Sequence, residues 1–240
     1  MVRGAPRGRP LTPATNTAAP IRHPSRISFK NLGLASAGRY GMLDVVPLRM
    51  KDGYMPYITL NSAEPGIRGL LRYRPETGRP LSELAEVLLR GPSTLTRGER
   101  ELVAAYVSAL NDCRYCSASH SACAAAQLPG GMVLVEQVRS DAGGAPVPAR
   151  LKTLLAIAAA VQQSGLAVTA ELVAQAKAAG ATDLEIHDTV LISAVFCMFN
   201  RYVDGLATIA PEDPAVYAVG AQRLIKDGYL PPSGEPGGQG

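Results

Sequence analysis

The sequence predicts an all-α, multi-helix protein, and three observations carry that reading. Apolar residues make up 47% of the 240, yet aromatics only 5%. Ala, Leu and Val therefore supply most of the core, a balance that suits close-packed helices better than sheets. Apolar residues also recur at helical spacing in segment after segment. Finally, these segments open on capping residues and stop at Gly or Pro, while only 54–60 has an extended character.

Taken in order, residues 1–26 read as a disordered basic arm, with five prolines, five arginines and no acid before Asp44. Residues 27–228 read as one helical domain. In it, 81–89 carries leucines and Val87 at helical spacing, with Ser82 as a cap, and halts at Gly91-Pro92. Thr96 with Glu99 three residues on is a capping box, and Leu102, Val103, Tyr106, Val107 and Leu110 continue the stripe. Asn111-Asp112 bends the chain, and a helix over 113–126 runs to Pro129-Gly130-Gly131. Residues 139–148, with Gly143-Gly144, read as a surface loop. Further helices are expected over 149–164, 169–179 and 183–207, then a short one over 214–227. Residues 229–240 read as a flexible tail.

The net charge of +4 is small and biased to the arm, so a nucleic-acid partner is not expected. No apolar run approaches the roughly 20 residues that span a bilayer. The arginines near the N-terminus have no apolar stretch behind them, so no secretory signal is read, and a cytoplasmic location is the expectation. In a reducing compartment four cysteines are not a disulfide framework; a C-x-x-C there is more often catalytic or metal-binding.

Cys113, Cys116, His120 and Cys123 fall at helical spacing and share one face of the expected helix. The pair sits at the helix start, where free N–H groups and the dipole favour a thiolate. Two sulfurs three residues apart can also close a disulfide. His120, one turn beyond Cys116, can take and return a proton. Glu101, twelve residues before Cys113 on the preceding helix, can orient that imidazole; Glu99 is already occupied by the capping box. Cys123 reads as a buried structural thiol and Tyr115 as a packing residue. Zinc is the competing reading of C-x2-C-x3-H, but Cys113 and His120 would have to converge along about 10 Å of helix, and no second Cys/His pair exists. No metal or other cofactor is expected.

The run Leu95-Thr96-Arg97-Gly98-Glu99-Arg100-Glu101-Leu102, followed by Cys113-Arg114-Tyr115-Cys116-Ser117-Ala118-Ser119-His120, resembles the carboxymuconolactone decarboxylase-like superfamily. The resemblance is to its alkylhydroperoxidase D-like, peroxidase-related branch. It extends over about residues 55–228, through Pro65-Gly66-Ile67 and Phe199-Asn200-Arg201. It implies an AhpD-like all-α fold, a homo-oligomer (trimer or hexamer), and reduction of a hydroperoxide through a Cys113–Cys116 disulfide. The cycle would be served by an external dithiol or a peroxiredoxin partner, with His120 and Glu101 as acid–base residues. Some members carry a histidine between the cysteines where this chain has Tyr115. The superfamily's lactone decarboxylases lack the cysteine pair. The alternatives are a non-enzymatic redox or zinc-binding oligomer and an enzyme acting on a small organic substrate with His120 as base.

Glu185 and Cys197 are also twelve apart, with Asn200 and Asp204 at the places of Cys116 and His120. This raises the expectation that 183–207 is a degenerate repeat of the motif at 95–126.

Overall fold

The computed structural model describes residues 55–230; the arm, residues 27–54 and residues 231–240 lie outside that range. The described residues form nine α-helices and no strand: α1 (Ile67–Tyr73), α2 (Pro75–Arg90), α3 (Arg97–Leu110), α4 (Arg114–Ala125), α5 (Gly131–Ser140), α6 (Ala149–Gln163), α7 (Ala170–Ala178), α8 (Asp183–Gly205) and α9 (Pro214–Asp227). The segment at 55–60 is irregular. Helix α5 fills the stretch before the loop expected over 139–148 and overlaps it only at 139–140. Among the described residues no helix is long and apolar enough to cross a membrane.

Helix α3 is the centre. Ten of its fourteen residues are buried, so it is enclosed on nearly every side rather than amphipathic. Helices α2, α4, α5, α6 and α8 pack around it, and α9 lies across α4. The main core joins Leu89 of α2, Leu102, Val103 and Val107 of α3, Val135 and Val138 of α5, Leu155 of α6, and Ile192 and Phe196 of α8. A second cluster gathers Leu95, Leu154, Ile157 and Ala176.

The α3–α4 junction places the cysteines. Helix α3 ends in a Schellman motif: Cys113 N–H donates to Ser108 O (3.0 Å) and Asp112 N–H to Ala109 O (3.0 Å). Asp112 takes the left-handed conformation this requires, with φ 56°, which an aspartate tolerates better than most residues. Cys113 thereby closes α3 and is the N-cap of α4. The capping box at Thr96–Glu99 forms as expected, and a second forms at Thr182–Glu185 on α8. Arg150 of α6 joins the two: its Nη2 donates to Glu99 Oε1 at 2.7 Å and its Nη1 to Glu185 Oε1. Glu185 thus plays the part of Glu99, not of Glu101. The segment at 183–205 is one unbroken helix, where the motif at 97–125 is two helices and a sharp turn.

Candidate functional site

Helices α3 and α4 bring all four expected residues into one buried cluster. Cys113 and Cys116 are 0% and 2% exposed, and Glu101 and His120 are buried as well. All four cysteines are free thiols. Cys116 sits in the first turn of α4, one turn before His120. His120 Nδ1 lies 2.6 Å from Glu101 Oε2. With Glu101 as carboxylate, that contact is an Nδ1–H donation, which leaves Nε2 as the nitrogen free to exchange a proton. The imidazole is set edge-on to Phe196, 4.5 Å between centroids.

The two thiols are unequal. Cys113 donates its S–H to Cys116, which pushes the Cys116 thiol down; His120 and a hydrogen bond from Asn200 act in the same direction, against burial and Asp204. The same bond pushes Cys113 up, with burial adding to it. These shifts make Cys116 the more readily ionised of the two and favour the proton on Cys113. The first-turn N–H of Cys116 acts the other way, lowering Cys113, and is outweighed there. Burial raises the Cys123 thiol, and Glu101 adds to that, which suits the structural role expected of it. Tyr115 is buried against Gly66, whose φ of 59° a side chain would strain and whose added Cβ would fall 2.1 Å from the Tyr115 ring. Tyr115 also meets Tyr217, with 5.9 Å between ring centroids. It is a packing residue.

Three further residues join the site. Tyr229 donates its hydroxyl to Glu101 Oε1 at 2.6 Å and lies parallel to His120, at 8° and 6.3 Å between centroids. The expected tail boundary at 229 is thus one residue or more too early: Tyr229 belongs to the packed body. Its own N–H donates to Glu86 Oε2 (2.8 Å), and Arg90 holds the end of α9 through Leu224 O and Ile225 O. Gly228, with φ 85°, makes the turn that delivers it, and an added Cβ there would meet Glu86 Oε2 at 2.6 Å.

The other two are Asn200 and Asp204 of α8. Asn200 Oδ1 accepts from Asn111 Nδ2 (2.8 Å) and its Nδ2 donates to Ser108 Oγ (3.1 Å), and its amide also helps hold the Cys116 thiol down. Asp204 lies within hydrogen-bonding reach of Cys113, and partial burial raises its carboxyl. The register that suggested a second copy therefore has another meaning at its C-terminal end, because those side chains reach into the first and only cluster of this kind among the described residues. Glu185 lies about 18 Å up the same helix from Cys197, paired with Arg150. Among the described residues, no three His, Cys, Asp or Glu side chains converge so as to hold a metal ion.

Residues 75–127, which contain all of α3 and α4, match the model of the carboxymuconolactone decarboxylase family. Over that stretch the chain is similar to the carboxymuconolactone decarboxylase family. Its fold is similar to that of an uncharacterized peroxidase-related protein from Silicibacter sp. TM1040, with a TM-score of 0.58 and 27% identity over 64% of this chain and 78% of that one. It is also similar in fold to an alkylhydroperoxidase AhpD core, an uncharacterized peroxidase-related protein from Ralstonia eutropha JMP134. There the TM-score is 0.58 and the identity 24%, over 71% and 84% of the two chains. No curated protein matches the chain.

Proposed function

We propose that this AhpD-like protein is a thiol peroxidase that works through a Cys113–Cys116 dithiol/disulfide cycle. One observation supports this above the others: a C-x-x-C pair at a helix start shares a buried cluster with an imidazole held 2.6 Å from a carboxylate. The Cys116 thiolate attacks the terminal oxygen of a hydroperoxide, breaking the O–O bond. The departing alkoxide takes a proton from His120, giving an alcohol and a sulfenic acid on Cys116. Cys113 then gives up its proton, attacks the Cys116 sulfur and expels water, leaving the disulfide. Glu101 keeps His120 in one tautomer and orientation, and Tyr229 holds Glu101 from the other side. An external dithiol, or a peroxiredoxin partner, returns the pair to its reduced form. On this reading the protein works in the cytoplasm as a homo-oligomer, a trimer or hexamer.

The test is a thiol count. One equivalent of hydrogen peroxide should remove two of the four thiols, and peptide mapping should find them joined as Cys113–Cys116. Thiols that survive peroxide unchanged would instead direct attention to chemistry on a small organic substrate with His120 as base.

A further inference from the structure

The proposed cycle gives Gln162 of α6 no role, yet this side chain begins a run of amides that ends at the cysteine turn. Gln162 Nε2 donates to Leu110 O (3.3 Å) and to Asn111 Oδ1 (2.9 Å). Asn111 Nδ2 donates in turn to Asn200 Oδ1 (2.8 Å), and Asn200 Nδ2 to Ser108 Oγ (3.1 Å). Ser108 is also the residue whose carbonyl accepts the Cys113 N–H (3.0 Å). The run therefore crosses from α6 over the end of α3 to α8, and back to the turn that seats Cys113. Gln162 and Asn111 are half-buried, whereas Asn200 and Ser108 are 1% and 0% exposed.

Each amide has a donor end and an acceptor end, so the run has a direction. Its inner end cannot set that direction, because the Ser108 hydroxyl either accepts from a nitrogen or donates to an oxygen. Cys197 Sγ, 3.5 Å from Asn111 Nδ2, is equally indifferent, since a thiol both donates and accepts weakly. The outer end does set it. Leu110 O is one of the last carbonyls of α3, which have no partner within the helix, and a carbonyl only accepts. Gln162 must turn its nitrogen toward it. That nitrogen fixes Asn111 with Oδ1 outward and Nδ2 inward, and Asn111 fixes Asn200 the same way round.

We propose that Gln162 and Asn111 are positioning residues of the site: they hold Asn200 so that its amide nitrogen, not its carbonyl, faces the Cys113–Cys116 turn. The inference rests on Cys116 as the attacking sulfur of the proposed cycle. Amide hydrogens beside a thiolate stabilise it, as hydrogen bonds to charged groups do; a carbonyl oxygen in the same place would oppose the charge. Asn200 is among the groups that push the Cys116 thiol down. The titratable groups around Cys116 are Cys113, Tyr115 and His120 of its own element, Asp204 of α8 and Tyr217 of α9. A change at Gln162 leaves all of them in place.

The experiment titrates the full chain by ultraviolet thiolate absorbance in high salt, the Cys116 step being the one absent in Cys116→Ser. Gln162→Met keeps the length of the side chain and removes the donor. Its Cys116 midpoint should rise by about half a pH unit or more, part of the roughly one unit expected of Asn200→Ala. Gln162→Lys restores a donor to Leu110 O and Asn111 Oδ1, and high salt screens the charge it adds; its midpoint should return to the wild-type value. A packing role for Gln162 would move both variants alike, so equal shifts in the two overturn the proposal. So does a wild-type midpoint in Gln162→Met, whether or not Asn200→Ala moves. Thermal denaturation checks that both variants are folded. Peroxide-driven loss of two thiols in the wild type is read separately: its failure sinks the peroxidase reading, while the titration still reports the direction of the amides.

Discussion

Glu99 and Glu101 stand two residues apart on the same buried helix, 8% and 3% exposed, and do different work. Glu99 caps α3 through Thr96 and meets the Arg150 guanidinium. Glu101 meets the imidazole of His120 and the phenol of Tyr229. A guanidinium keeps its proton at any working pH, so the first arrangement is a fixed staple between α3, α6 and α8. An imidazole can take up a proton and return it, so the second can take part in chemistry. Burial of a carboxylate does not mark a site; what its partners can do with a proton does.

The contrast has content only if the thiols beside Glu101 are the working groups. Cys113→Ser and Cys116→Ser should each lower peroxide turnover to background in a coupled dithiol assay, while Cys123→Ser keeps most of it. Wild-type rates in either of the first two would leave Glu101 with nothing to serve. The next largest effect separates the glutamates directly. Glu101→Gln should lower kcat/KM about 100-fold, the usual scale for acid–base help, with its melting temperature little changed. Glu99→Gln should do the reverse. It keeps near-normal turnover but loses about 2 kcal/mol through a weakened cap and an Arg150 left with one carboxylate, read as a fall of several degrees in thermal denaturation. Parallel losses of rate in both variants would erase the distinction.

Most of the fold and half of the site can be read from the sequence, and the reason is locality. The Thr96–Glu99 box, the break at Asn111-Asp112 and the C-x-x-C-x-x-x-H run are each determined by residues within one or two turns. Glu101 is legible because only a short turn separates its helix from the cysteines. Helix α5 is less so, since it starts on Gly131 without a side-chain cap and buries only Val135 and Val138. Tyr229 is hidden for the opposite reason. It follows the last helix, beside Pro- and Gly-rich sequence, and reaches Glu101 only because Arg90 and Glu86 of α2 fasten the chain there. Asn200 and Asp204 are visible only as a spacing, one that by itself reads as a copy of the motif. Sequence shows the register, and only the packing of α8 against α3 and α4 shows that its end is shared with the first site.

That shared end offers a test by pH. Asn200 is among the groups that push the Cys116 thiol down, so its loss raises the Cys116 pKa. Hydrogen bonds to a charged group contribute about 1.5–3 kcal/mol, roughly one pKa unit or more at 1.36 kcal/mol per unit. In wild type the rate of peroxide-driven oxidation should reach half its maximum below the ordinary thiol range, because the Cys116 thiol is pushed down. In Asn200→Ala that midpoint should move up by about one unit, with the plateau at high pH largely preserved. An identical midpoint would mean that α8 supplies only packing.

Tyr229→Phe gives the smallest effect and the finest distinction. The variant keeps the ring against His120 and the backbone bond to Glu86, and removes only the hydroxyl that reaches Glu101 Oε1. Losing that donor strips a buried carboxylate of one of its two partners, at about 1.5 kcal/mol or more, so the melting temperature should fall. The rate consequence follows from geometry. Held from one side only, Glu101 fixes His120 less firmly, and kcat should drop about three- to five-fold with KM for peroxide little affected. Glu86→Gln should produce a weaker version of the same pattern, since it loosens the anchor of Tyr229 without touching the site. A Tyr229→Phe variant that loses stability but keeps its full rate would place Tyr229 with the Arg150 staple as a structural clamp, and would move the boundary of the working cluster back to helices α3, α4 and α8.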